Sequence, residues 1–431
     1  MNTKQISFTS NPSNLIKTLP KKLKPIASFI SMQEGGAGLS HSRFVQDTAV
    51  NWVPKAVFAR SLPDFAETSL LEFSESMIVY YLPTLLGEKV FRKAFSKNLD
   101  QPLKKLVSKP AQKLIKNKSA NPEDIKKLVP VKAAIALGAM AIPFAEYSLS
   151  YIKNLFTLKM FKQADFNNIA NLNKDKNKTE DQAKQEKVRS SAKKHIKYAG
   201  LAFAGCLGLA TLLATKGKNS KSLQKISEAI LTPGNKIFPK NAKKAETFNK
   251  YFSLDFADNN GKLGLSRGQL TACVLGGFLG YTGAAKDRGK QNLLEVLFRF
   301  PLVGFYVITG SELFEKGFKT ILKKADKCKD VIGKNLETPT LKDLPEIAEK
   351  LAKTNGTRVE DEFKKVFKQK ALISTVPFAF SIGFMGLFVA GVSRFFTQYR
   401  YNQEQKKQIA SSAVSFGKTS IEEFKAKINK K

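Results

Sequence analysis

Residues 371–392 read ALISTVPFAFSIGFMGLFVAGV, twenty-two consecutive positions without a charge, between Lys370 and Arg394. A helix needs about 20 apolar residues to cross a hydrocarbon layer of about 30 Å. This stretch meets that requirement and predicts a membrane helix. Working outward, weaker copies of the pattern recur. Tyr198–Thr215 is uncharged but short, and Gly268–Ala285 is uncharged and glycine-rich. Ala133–Ile152 carries only Glu146, beside Pro143; Leu293–Phe314 carries Glu295, Arg299 and Glu312. Leu70–Gly87, interrupted by Glu72 and Glu75, is marginal by hydropathy. The expected fold class is an all-α integral membrane protein, a bundle of about 4–6 membrane helices built from two related halves.

The two halves come from aligning the chain with itself. At an offset of 223, residues 46–95 and 269–318 share 11 identities in 50 positions, among them Asp64/Asp287 and Leu70-Leu71-Glu72/Leu293-Leu294-Glu295. Chance predicts about three or four for this composition. At an offset of 240 the match continues with Phe144/Phe384, Phe156-Thr157/Phe396-Thr397 and Gln163/Gln403. Each half then holds three elements, over 45–62, 68–95 and 131–160, and again over 268–285, 291–318 and 371–403. Residues 45–62 contain Asp47, Lys55 and Arg60 and read as an interfacial helix rather than a spanning one. Three elements per half plus one linking helix put the halves in parallel if every element spans.

The expected organisation follows. Residues 1–42 form a flexible basic tail, 43–160 the first membrane repeat, 161–195 a charged linker or solvated helix and 196–215 a linking membrane helix. Residues 216–266 form a Lys-rich loop, 267–404 the second repeat and 405–431 a charged C-terminal helix, with Ser420 as a candidate N-cap. Residues 344–370 read as one amphipathic helix, and DFADNNGKLG at 255–264 as a polar loop that fails calcium-loop spacing.

Lys and Arg number 72 against 36 Asp and Glu, a formal net charge of +36. Such a balance suits anionic partners. Only ten of the basic residues are Arg, the residue of bidentate base contacts. The phenylalanines lie in the apolar stretches and not among the basic runs. Nucleic acid is therefore not the expected partner. A lipid bilayer with anionic headgroups is, and a protein partner or a second copy fits the same surface. The segments 88–132, 153–197, 216–267 and 315–370 are all Lys-rich, so charge asymmetry does not orient the chain. The N-terminal residues lack the apolar core and cleavage site of a signal peptide, so internal segments direct insertion, with a bacterial-type cytoplasmic membrane favoured.

Cys206, Cys273 and Cys328 form no CxxC pair, and His41 and His195 stand far apart. No metal or cofactor is expected. No phosphate-binding, nucleophile-elbow, HExxH or kinase signature occurs, so no enzymatic activity is expected. Ionisable groups inside apolar segments are costly and face partners or cavities. Glu72 and Glu295 occupy equivalent positions, Arg299 lies one turn after Glu295 as a local ion-pair partner, and Glu146 sits deep in its stretch. These four are the candidate intramembrane polar residues. Asp64 and Asp287, just before the second element of each half, read as helix N-caps. Two stripes of small residues at every fourth position, Ala272-Gly276-Gly280-Ala284 and Gly200-Ala204-Gly208, are candidates for close helix packing. The expected function is a non-enzymatic structural or interaction protein whose basic loops contact anionic lipid or partner proteins. The alternative is a small secondary transporter or channel made of two related halves.

Overall fold

The computed structural model describes residues 19–34, 48, 51–116, 121–174, 181–259 and 261–428. Among them the chain is almost wholly helical. It begins with α1 (Lys24–Glu34), a short helix α2 over 51–57, and α3 (Leu62–Leu82), which continues as a π-helical stretch over Pro83–Arg92. Then come α4 (Pro122–Ala139) and α5 (Ala141–Phe161), joined at Met140, and α6 (Gln182–Lys216). The lower segment holds α7 (Lys221–Leu231) and α8 (Ala242–Phe252). The antiparallel hairpin β1 (Ala257–Asn259) and β2 (Lys262–Gly264) follows. Next are α9 (Arg267–Arg288), α10 (Lys290–Phe305), a π turn at Tyr306–Gly310 and α11 (Ser311–Lys324). The chain closes with α12 (Leu344–Asn355), α13 (Val359–Ser381), a π turn at Ile382–Val389 and α14 (Ala390–Ile428).

Local chemistry sets these boundaries. Asn121 caps α4, with Pro122 in the first turn where no N–H is needed. Asp181 caps α6. Ser266 and Gln269 form a reciprocal capping box on α9, and Gly289 at φ 125° ends it. Gly356, left-handed at φ 65°, closes α12.

Side-chain contacts fix the helix directions. Leu158 clusters with Val188, Tyr147 and Tyr151 contact His195, and Gly217 lies against Pro130, so α6 runs antiparallel to α4–α5. Thr157 bonds Glu67 while Phe91 covers Gly138, so α3 is also antiparallel to α4–α5. Gly276 abuts Pro143 and Asn154 bonds the Ala284 carbonyl, so α9 is parallel to it. Phe314 stacks on Phe380 at 3.6 Å and Phe298 meets Phe396 at 6.0 Å, making α10–α11 antiparallel to α13–α14. Three Lys-rich connections therefore lie, in their described residues, at one end of the bundle, called the lower end here: 93–116, 217–259 with 261–266, and 325–358. The described residues 162–174 lie at the upper end.

Among the described residues, four helices are long and apolar enough to cross a membrane: Pro122–Phe161, Gln182–Asn219, Lys290–Lys324 and Val359–Ser412. Gly268–Ala285 and Leu70–Gly87 lie in helices outside that set. The apolar window of the first is 78% buried; those of the others are 17%, 28% and 22% buried. Thus α4–α5 is a central rod and the other three turn apolar faces outward. Leu201 on α6, Leu279 on α9, Phe305 on α10, Leu387 and Phe388 past α13 and Phe395 on α14 are all at least half exposed. Large contiguous apolar patches are rare on soluble monomers and mark contact with a membrane or another protein. Two cores cap the lower end. One packs Leu99–Leu114 against α4, Leu213 and Leu263; the other packs Ile30 against Leu344, Phe363 and Phe367.

The two small-residue stripes have different fates. A Cβ on Gly276 would lie 2.7 Å from the Pro143 carbonyl, and one on Gly280 would strike the Tyr147 backbone. Ala284 is buried, and Ala272 half-buried, on the same helix. The second stripe does not pack within the chain: Cβ atoms on Gly200 and Gly208 would meet nothing within 4 Å, and Ala204 is exposed.

Other differences follow from local physics. Part of the expected basic tail is α1, whose Glu34 reaches Lys370 at 2.7 Å and the Leu341 N–H at 2.6 Å. The linking helix starts at Gln182 inside the expected charged linker, because its polar first half packs Val188 and Ala192 inward. The helix expected over 344–370 breaks at Gly356. The chain runs helically through Ser420, so that residue caps nothing. The hairpin β1–β2 occupies part of the expected loop at 255–264, and His41 lies outside the described residues.

Gly280→Leu should lower stability in detergent by about 1–3 kcal/mol, because α9 cannot move off the α5 backbone without losing the contacts around it. Gly208→Leu should change it by less than about 0.5 kcal/mol. Thermal unfolding of the two variants side by side checks both.

Candidate functional site: a buried ionic layer

The upper third of the bundle holds charged side chains from seven elements. Lys55, on α2, places Nζ 2.6 Å from Glu72 Oε1 on α3; both are buried. Arg60, in the turn after α2, is held by two carboxylates. Its Nη1 and Nη2 lie 2.9 and 3.3 Å from the two oxygens of Glu295, a bidentate pair, and its Nε lies 3.2 Å from Asp64 Oδ2. The Phe166 ring covers its guanidinium at 5.2 Å. Burial works against the Arg60 charge, but Glu295 and Asp64 more than offset it, holding its pKa above the ordinary arginine value.

Arg394, on α14, donates through Nη1 to the Lys55 carbonyl at 2.6 Å and approaches Asp64 at 3.8 Å. Arg288, the last residue of α9, has no exposed surface; its Nη1 lies 2.7 Å from Glu67 Oε2. Thr157 donates to the same oxygen at 2.9 Å, and Lys153 stands 3.6 Å from the other. One turn deeper, the Tyr281 hydroxyl donates to Glu75.

The four expected polar residues are placed as follows. Glu72 and Glu295 are both in this layer. Glu295 pairs with Arg60 across the bundle and not with Arg299, which is half-buried one turn away. The expected local pair does not form because a rigid fork from another element reaches Glu295 first. Glu146 is buried on α5, outside the layer, near Cys273 and Tyr281. The two aspartates part company. Ser61 Oγ accepts the Asp64 N–H at 3.1 Å, so Ser61 is the cap of α3, while Asp64, three residues on, accepts the Arg60 N–H at 3.0 Å. Asp287 lies at the end of α9, where it accepts from Ser191; it starts no helix.

Sequence reasoning missed Lys55, Arg60, Glu67, Lys153, Arg288 and Arg394 as one constellation. A signal existed: the charges that make 45–62 too polar to span are the ones that need buried counter-charges.

Chemically the layer is an adhesive. Each carboxylate of the layer faces a cation or a hydroxyl donor, and Lys, Arg, Asp and Glu dominate it, joined by the Thr157 and Tyr281 hydroxyls. Among the described residues no group of His, Cys, Asp and Glu is placed to hold a metal ion. Arg288 Nε and Nη2 and Arg394 Nε are buried without a hydrogen-bond partner. The layer is therefore costly to bury, and it fixes register more than it adds net stability. The chain matches no protein-family model, no curated protein and no solved structure.

Lys55→Met alone should cost about 3–5 kcal/mol by leaving Glu72 buried and uncompensated. The double variant Lys55→Met/Glu72→Gln should regain most of that loss. Denaturation of both in the same detergent measures the difference.

Proposed function

We propose that the chain is a multi-pass membrane protein of two related halves set side by side in the same orientation. Its role is structural or interactive rather than enzymatic, with Lys-rich ends held against anionic headgroups or partner proteins. The observation that carries this reading is a contrast of surfaces. Charged groups inside the bundle pair with one another across helices, while uncharged faces of α6, α10 and α13–α14 stand bare on the outside.

Several features support the duplication. The π-helical stretches begin at Pro83 and Tyr306, which the offset of 223 makes equivalent. The first element of each half lies on the third of the other: α9 packs on α5 through Gly276 and Gly280, and α2 approaches α14 where Phe58 meets Gly391. Asn154 and Arg394, equivalent at the offset of 240, each donate to a backbone carbonyl of the first element of the opposite half, at Ala284 and Lys55. Each half also carries a helical cap at the lower end between its second and third elements. The antiparallel run of α6 between the halves supports parallel copies.

A second reading is favoured by the place of Glu72 and Glu295. Both sit at the junction of the halves, where duplicated transporters bind substrate. It expects ion or proton flux in proteoliposomes that is lost in Glu72→Gln/Glu295→Gln; no flux leaves the structural reading.

Membranes from expressing cells, washed with high salt and then alkaline carbonate, should retain the protein. Release would end both readings. In a background lacking the native cysteines, Lys174→Cys and Lys240→Cys should react with an impermeant maleimide from opposite sides of the membrane. Labelling from the same side would reject the parallel bundle.

A further inference from the structure

The lower rim of the bundle carries a cavity beside an aromatic anchor. On one side of α8 the rings of Phe248 and Phe252 stack at 4.5 Å, with Phe238 5.7 Å from Phe248. Phe252 is 48% exposed, as is Ile237 at 55%. The adjacent Tyr251 ring lies 5.7 Å from both Lys250 Nζ and the Arg267 guanidinium, and Arg267 pairs with Glu312 at the start of α11. Phe305 and Leu313, flanking that point, are exposed and belong to the bare apolar face. Aromatic rings mixed with cations at the edge of an apolar belt are the chemistry of a membrane–water interface.

The opposite side of α8 faces an open cavity of about 480 Å³, lined by the exposed residues Lys243, Glu246, Thr247 and Lys250 and also by Gln112 and Ser266. Asp255, also on its wall, is already engaged: Lys132 lies 2.9 Å from one oxygen and the Ala111 N–H donates to the other at 2.5 Å. Lys243 and Lys250 form no ion pair among the described residues. They flank the Thr247 hydroxyl on one helix face, two turns apart, with Glu246 between them.

We propose that this cavity holds the phosphodiester headgroup of an anionic phospholipid, with its acyl chains in the belt beside Phe252. Lys243 and Lys250 take the phosphate, and Glu246 accepts from a hydroxyl on the far side of the headgroup. A glycerol headgroup meets both needs; choline, with no donor, does not. The inference rests on the membrane reading above and names the lipid for one of its basic ends. Free phosphate shares the phosphate chemistry and is the competing source.

The test uses the full chain in neutral detergent, with phosphatidylglycerol, phosphatidylcholine or inorganic phosphate added, read by retained lipid in native mass spectrometry and by Tm. Phosphatidylglycerol should stay bound and raise Tm; phosphatidylcholine should do neither. Lys243→Gln/Lys250→Gln should weaken retention about tenfold or more, while Lys221→Gln/Lys327→Gln, on exposed positions elsewhere, should not. The variant's Tm without lipid should match the native protein, which separates lost binding from lost folding. Equal retention by the two double variants overturns the site. Stabilisation by inorganic phosphate equal to that by the lipid overturns the lipid as its occupant. Carbonate release of a protein that still binds phosphate through Lys243 and Lys250 would mean that the membrane reading failed and the anion site stood.

Discussion

A guanidinium with no exposed surface is costly to bury unless an anion faces it, and Arg288 finds one oxygen of Glu67. That requirement organises the upper half of the molecule. Glu67 lies on α3, Arg288 on α9, and Thr157 and Lys153 on α5, so one carboxylate ties three helices together. Arg60 does the same for Glu295 and Asp64, and Arg394 joins α14 to the turn carrying Lys55. Moving any of these helices by one turn would strand a charge in the interior. Apolar packing alone tolerates sliding more readily, so the charges set the register and the apolar contacts supply the attraction.

Close approach is the second constraint. Gly276 and Gly280 let α9 lie against the backbone of α5, which brings Asn154 within 3.0 Å of the Ala284 carbonyl. The same small-residue spacing on α6 leads to no such contact. Spacing says that a helix can be approached; it does not say by what. Gly200 and Gly208 make that plain, facing open space while other positions of the same helix, Val188, Ala192, Ala210 and Leu213, turn into the core.

The helical class was legible because uncharged runs near 20 residues have few other outcomes. The helix end at Gly356 had a signal in the sequence, a glycine suited to the left-handed conformation, but the continuous amphipathic pattern of 344–370 masked it. What was not legible is what depends on a partner distant in sequence. Glu295 seemed paired to Arg299 because the two share a helix face; its actual partner, Arg60, is 235 residues away. Residues 45–62 read as interfacial for their charges, since burial of a Lys and an Arg can be inferred only once Glu72, Asp64 and Glu295 are known to converge on them. The helix that carries Ser420 shows the converse: a favourable cap in sequence means nothing where the preceding turn is already helical.

The bond from Arg394 to the Lys55 carbonyl spans 339 residues. During synthesis the early turn bearing Lys55 and Arg60 must therefore wait for almost the whole chain before its environment is complete. Until α14 emerges, the Lys55 carbonyl lacks its donor and Asp64 lacks its second cation. Contacts between remote segments slow folding and prolong the life of incomplete states. A ribosome that stalls or terminates before the last helix would release a chain with an unfinished charged layer among apolar helices, a natural substrate for cellular quality control.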